Sequence, residues 1–192
     1  SVRLHRKSGW DDTALSAASL HMIYVKTGAL TFCWQCRRRS CVLLERRFQR
    51  LGTASGVDVV DDYAHHPTEI KATLAAARTA FPGRRIVAAF QPHLYSRTRD
   101  FAREFGEALA AADAVYIADI YPAREQPIAG VTSELIVAST REAGGAVAWQ
   151  GARAALSSAL ASAARAGDVV ITIGAGDITK TGPELLHALG PA

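Results

Sequence analysis

From Arg46 onward the apolar residues fall into two alternating patterns. Short continuous runs of strand length occur at Val57-Asp58-Val59-Val60, Arg85 to Phe90, Ala114 to Ala118, Ala146 to Trp149 and Val169 to Ile173. Between them lie longer stretches in which apolar side chains recur every three or four positions, the spacing of a helix with one buried face. The first such helix is expected from Pro67 to about Ala80, stopped by Pro82-Gly83. Phe101, Phe105 and Leu109 mark the second, with Thr98 as its N-cap. A third begins near Thr132 or Ser133 and closes at Gly144-Gly145, a fourth covers Ala152 to Ala166 with Gly167 as its left-handed cap, and a fifth runs from Pro183 to Leu189. A further strand over Arg46 to Gly52 and a turn over Thr53 to Gly56 precede the series. Strands alternating with helices of ten to fifteen residues predict an α/β domain: a doubly wound, mostly parallel sheet with helices on both faces.

Residues 1–45 sustain neither period. Composition sets them apart as well. They hold seven basic side chains (Arg3, Arg6, Lys7, Lys26, Arg37, Arg38, Arg39) against three acidic ones (Asp11, Asp12, Glu45), which accounts for the whole net charge of +4. The rest is neutral, so no nucleic-acid partner is expected. All three cysteines, Cys33, Cys36 and Cys41, also lie here. A zinc site would need His5 or His21 as a distant fourth ligand, so no metal centre is expected. The segment reads as unassigned, like an out-of-frame or badly joined start. Its most apolar stretch, Leu20 to Trp34, is interrupted by His21 and Lys26 and too short to span a bilayer. It follows Asp11-Asp12 with no small-residue cleavage pattern after it, so neither a membrane anchor nor a secretion signal is expected. A cysteine-free domain from residue 46 fits a cytoplasmic location.

Candidate chemistry gathers where strands end. In a parallel sheet the carboxyl ends share one edge, and ligands bind in the crevice outside it. That edge should collect Asp61, Asp62, Tyr63, His65 and His66; Gln91, His93, Arg97 and Arg99; Asp119 and Tyr121; and Gly174-Ala175-Gly176-Asp177. Imidazoles and arginines beside helix N-termini favour an anion. Alternatives stay open: Asp61 and Asp62 as helix caps, Arg97 and Arg99 as solvated charges, Asp119-Ile120-Tyr121-Pro122 as a strand stop, and the G-A-G-D turn as a plain backbone turn.

Four stretches in this order carry a resemblance: D-D-Y-A-H-H-P-T-E-I-K, Q-P-H-L-Y-S-R-T-R-D, D-I-Y-P-A-R-E and I-G-A-G-D-I. They resemble the C-terminal domain of the Mur ligases, nearest to members that join L-alanine to UDP-N-acetylmuramate in peptidoglycan synthesis, from about Arg46 to the end. The resemblance implies a Rossmann-like domain of an ATP-dependent, amide-forming ligase, with ATP and Mg as cofactors and L-alanine and UDP-N-acetylmuramate as substrates. It carries His65 and Arg97, with His66 and His93 as second choices, onto the substrate side, and Arg47, Asp62 and Tyr63 onto the side facing adenosine. A sister ligase that attaches a short peptide to the same sugar would fit equally.

Two departures accompany it. Leu94 stands where a second arginine is usual, and loss of such a charged contact costs about 2 kcal/mol or more. No G-x-x-x-x-G-K-[ST] loop occurs in the sequence. The expectation is an incomplete fragment, without a complete catalytic set of its own, whose N-terminal and central domains would be partners. Two other readings remain: a metal-dependent phosphohydrolase using Asp61, Asp62, His65, His66, His93 and Asp119, and a non-catalytic binding remnant.

Overall fold

The computed structural model describes residues 46–190. The cysteine cluster with His5 and His21, and the unassigned start, therefore lie outside the described residues. Within them, six strands and five helices follow in order: β1 (Gln49–Ala54), β2 (Val57–Asp62), α1 (Pro67–Ala80), β3 (Ile86–Phe90), α2 (Tyr95–Leu109), β4 (Ala114–Ala118), α3 (Glu134–Glu142), β5 (Val147–Gly151), α4 (Arg153–Ala163), β6 (Val169–Ile173) and α5 (Thr181–Leu189). A 3₁₀ turn over Asp177–Lys180 leads into α5.

The strands form one sheet in the order β1-β2-β6-β3-β4-β5. All neighbours are parallel except the β1–β2 hairpin. The expected doubly wound, mostly parallel sheet is the one found. β2, β3, β4 and β6 are buried along their whole length, as strands covered on both faces should be. One face packs Ile70, Leu74, Phe105, Leu109, Ile136 and Val137 of α1, α2 and α3 against the sheet, and the other packs Leu156, Leu160 and Leu185 of α4 and α5. α2 and α3 approach closely: a Cβ on Gly106 would lie 2.5 Å from the Ser139 carbonyl carbon.

Several boundaries differ from the pattern. β1 begins at Gln49 and continues through Ala54, so the turn shrinks to Ser55-Gly56. β2 extends through both aspartates, which pair with Thr172 and Ile173 of β6. Thr98 is not an N-cap: α2 starts at Tyr95, and the Thr98 hydroxyl donates back to the Leu94 carbonyl at 2.9 Å. Gly167 does not cap α4, which stops at Ala163; at φ +96 it shapes the turn into β6, its N–H donating to the Gly56 carbonyl at 2.9 Å. α5 opens two residues before Pro183. No helix among the described residues is long and apolar enough to cross a membrane.

Candidate functional site

Because β2, β6, β3 and β4 are consecutive neighbours and parallel, the chain leaves all four on the same edge. There the rings of Tyr63, His65, His93 and Tyr121 form a row. Tyr63 to His65 is 5.1 Å between centroids, His65 to His93 6.4 Å, and His93 to Tyr121 5.7 Å in a stacked arrangement. At one end the Arg46 guanidinium lies over Tyr63, 5.2 Å from the ring centre. Gly176 closes the other end: a Cβ there would meet Tyr121 Cγ at 2.7 Å and Gln91 Oε1 at 2.6 Å, so only glycine admits this packing.

Each ring is held. His65 Nδ1 lies 3.0 Å from the Tyr63 carbonyl. A carbonyl only accepts, so this nitrogen carries the proton and Nε2 is left as the acceptor. The His65 N–H donates to Glu69 Oε2 at 2.9 Å, and Glu69 also receives Arg47 at 3.0 Å. Burial would raise the Glu69 pKa, yet the donors His65 and Arg47 outweigh it and hold it below the ordinary glutamate value. His93 is driven the other way: burial first, then the Arg97 guanidinium and the neighbouring His65, hold its pKa below 6.5. It is therefore neutral at pH 7, and its Nδ1 is buried without a hydrogen-bond partner among the described residues. Arg97, in the first turn of α2, reaches the His65 carbonyl at 3.5 Å.

The turn after β6 is fixed from two sides. The Gln91 amide nitrogen donates to Asp177 at 2.9 Å and its oxygen accepts from the Ile178 N–H at 3.0 Å. Arg153 donates to the Asp177 carbonyl at 3.2 Å and to Glu184 at 2.9 Å.

The edge thus brings together His65, His93, Arg97 and, on the β2 side, Arg47 and Tyr63. Four other residues expected there are not part of the row. Asp62, expected to face adenosine, is 4% exposed; its oxygens accept from the Phe48 N–H at 3.0 Å, the Ala64 N–H at 2.8 Å and the Thr73 hydroxyl at 3.1 Å. In a doubly covered strand neither side of the alternation faces water, and here the carboxylate serves as an internal anchor for the chain on either side. His66 caps α1, accepting from the Thr68 N–H at 3.3 Å, and lies edge-on to Phe101 at 5.1 Å, turned from the row. Arg99 pairs with its neighbour Asp100 on an exposed face. Asp119 is exposed.

The phosphohydrolase set is not assembled. Asp61 is committed to Arg46 at 2.8 Å and to the Thr172 hydroxyl at 2.7 Å. Among the described residues no three His, Cys, Asp or Glu side chains are grouped to hold a metal ion. Conversely, Tyr121 belongs to the row although its tetrapeptide read as a strand stop. β4 does stop at Ala118, but Tyr121 resumes pairing in an isolated parallel bridge with His93. The signal was present in the sequence as a tyrosine and a G-A-G turn, each just after a strand of the same parallel sheet.

The family model for "Mur ligase, glutamate ligase domain" matches residues 46–176. The UDP-N-acetylmuramate–L-alanine ligase of Cutibacterium acnes is 56% identical over 145 residues, covering 75% of this chain and 31% of that protein. The enzyme of the same name from Mycobacterium sp. (strain JLS) is 49% identical over 188 residues, covering 91% of this chain and 38% of that protein. Residues 46–192 are 147 of 192, so this second match runs past Arg46 into the preceding segment. The crystal structure of UDP-N-acetylmuramate-alanine ligase from Thermotoga maritima superposes with a TM-score of 0.61 at 26% identity, over 74% of this chain and 29% of that one. The chain spans about a third of the length of these curated relatives.

Proposed function

Since the chain belongs to the Mur ligase family, we propose that residues 46–192 are the C-terminal domain of an ATP-dependent ligase joining L-alanine to UDP-N-acetylmuramate. The observation that carries this reading is the convergence of His65, His93 and Arg97 from β2, β3 and α2 onto one sheet edge. Such a cluster suits a small zwitterion. Its carboxylate would pair with the Arg97 guanidinium, and its ammonium would face imidazole acceptors, Nε2 of His65 and the neutral ring of His93. Orienting that amine toward an activated carboxyl group is what an amide-forming site requires of this wall.

ATP, when bound, supplies the phosphoryl group that activates the muramate carboxylate. Arg47, 31% exposed and held by Glu69, and Tyr63, braced by Arg46, are the groups here that suit its nucleoside side. The described residues do not fit Mg, since the edge carboxylates Asp61 and Asp62 are already engaged inside the protein. No step is assigned to a metal on this wall.

The test is to replace the C-terminal third of the Cutibacterium acnes relative by residues 46–192. Phosphate release from ATP is then followed with UDP-N-acetylmuramate and L-alanine. The expected result is alanine-dependent turnover, with alanine bound more weakly than by the parent because Leu94 replaces a usual arginine. A graft that folds and binds ATP but releases no phosphate in response to L-alanine overturns the proposal. Turnover with a short peptide in place of L-alanine would reassign it to the peptide-adding branch.

A further inference from the structure

The Tyr95–Asp100 turn, which carries Arg97, is held in place from outside its own helix. α2 is not continuous: Phe101 has non-helical angles (φ −125, ψ 18). Of the helix's five buried residues, Phe105, Gly106, Ala108 and Leu109 lie beyond that break and only Thr98 before it. The turn also has no N-cap side chain of its own. Leu94 occupies the cap position at φ +74, a conformation few side chains adopt without local restraint.

The restraint comes from the loop after β4. The Tyr121 N–H donates to the Pro92 carbonyl at 2.8 Å and the Leu94 N–H donates to the Tyr121 carbonyl at 3.0 Å. These bonds fix the backbone on both sides of His93. Four residues later Glu125, whose N–H donates to the Pro122 carbonyl at 2.9 Å, turns its carboxylate onto the start of α2. One oxygen accepts from the Ser96 N–H at 3.0 Å and the other from the Ser96 hydroxyl. Glu125 thus caps, from 29 residues away, the turn that has no cap of its own. Ser96 immediately precedes Arg97, so the direction in which Arg97 leaves the helix depends on this bond.

We propose that Glu125 is a positioning residue for Arg97: by docking on Ser96 it sets the orientation of the Tyr95–Asp100 turn, so that the guanidinium meets the His65 and His93 cluster. The inference deepens the function proposed above and rests on it only where ligand affinity is concerned. Three properties separate it from a merely structural cap. The effect should be confined to the turn ahead of Phe101, it should reach the Arg97 side chain, and it should depend on an acceptor atom rather than on negative charge.

The test uses the full chain with Glu125→Ala, Glu125→Gln and Ser96→Ala. Two readouts need no ligand: amide hydrogen exchange along α2, and ¹⁵N relaxation of the Arg97 Nε–H group. Glu125→Ala should speed exchange at Ser96 and Arg97 by about tenfold or more, leave Phe105 to Leu109 unchanged, and increase Arg97 side-chain motion. Glu125→Gln keeps an oxygen for the Ser96 N–H and should restore most of this order. Ser96→Ala, which removes only the hydroxyl bond, should fall between. With L-alanine as probe, Glu125→Ala should weaken binding by about tenfold, again with recovery in Glu125→Gln. Unchanged Arg97 order in Glu125→Ala, or equal damage from Glu125→Gln, overturns the inference. If the graft described above does not respond to L-alanine, the proposed function falls, while the ligand-free readouts still decide for or against Glu125.

Discussion

Replacing Asp62 by alanine distinguishes an internal anchor from a nucleotide contact. The carboxylate is the acceptor for two backbone N–H groups, those of Phe48 and Ala64, and for the Thr73 hydroxyl. Thr73 has a second acceptor in the Glu69 carbonyl at 3.0 Å, so it loses little. The two N–H groups are left without one, at about 1–3 kcal/mol each. Against this stands the removal of a buried charge. Burial raises the Asp62 pKa despite its donors, so part of the loss is returned. A net destabilisation of about 2–4 kcal/mol follows, or about 6–12 °C in Tm for a domain of this size. Asp62→Asn keeps one oxygen as acceptor but turns an amide NH₂ toward the other N–H, so it should show roughly half the effect. Thermal melts by circular dichroism, paired with nucleotide titration well below the melting range, read both quantities. A Tm of Asp62→Ala within about 2 °C of the parent, with nucleotide affinity abolished, would refute the internal-anchor reasoning and return Asp62 to the binding surface.

Three further outcomes are expected. Gly176→Ala places a Cβ 2.7 Å from Tyr121 Cγ in ordinary backbone geometry (φ −92, ψ −152), so its cost is purely steric, about 1–3 kcal/mol, and the displaced Tyr121 ring should shift the His93 ring proton resonances; unchanged His93 signals would contradict the packing described. Leu94→Arg adds a cation beside Arg97 at no new backbone cost, since both residues bear the same φ of +74, and should tighten L-alanine binding about tenfold or more in calorimetry; unchanged affinity would remove Leu94 as the reason for weak binding. His93 is held below 6.5 by burial, Arg97 and His65, so the unfolded chain takes its proton first as pH falls. The His93 contribution should be complete above pH 6.5 and decline as pH drops from there toward the folded-state value, and urea melts at pH 7.5 and 5.5 should show a smaller loss in His93→Asn than in the parent.

The sheet and its helices were legible because buried parallel strands leave unbroken apolar runs, and because helices beside them must repeat every three or four residues. The convergence of His65, His93 and Arg97 followed from the same argument, since parallel strands share one edge. Element ends were read less well wherever a distant partner replaced a local cap. Thr98 looked like the cap of α2, but Glu125 and the bond from Leu94 to Tyr121 perform that task from another loop. Gly167 looked like the end of α4 but belongs to the turn before β6. Asp61 and Asp62 were placed beyond the strand because polar residues after Val57 to Val60 normally mark its exit, whereas β2 continues through both. Tyr121 was placed on the edge but its tetrapeptide read as a strand stop, because its packing is set by Gly176 and His93, both far from it in sequence.

The position of β6 has a consequence for how the protein is made. It comes last in chain order among the described strands yet lies between β2 and β3, so a nascent chain ending at α4 holds its two main strand groups with nothing to join them. His65 and His93 sit on opposite sides of that gap. Folding of the site therefore waits for residue 173, and a premature stop a few codons earlier would leave two exposed apolar strand edges for chaperones or proteases to recognise.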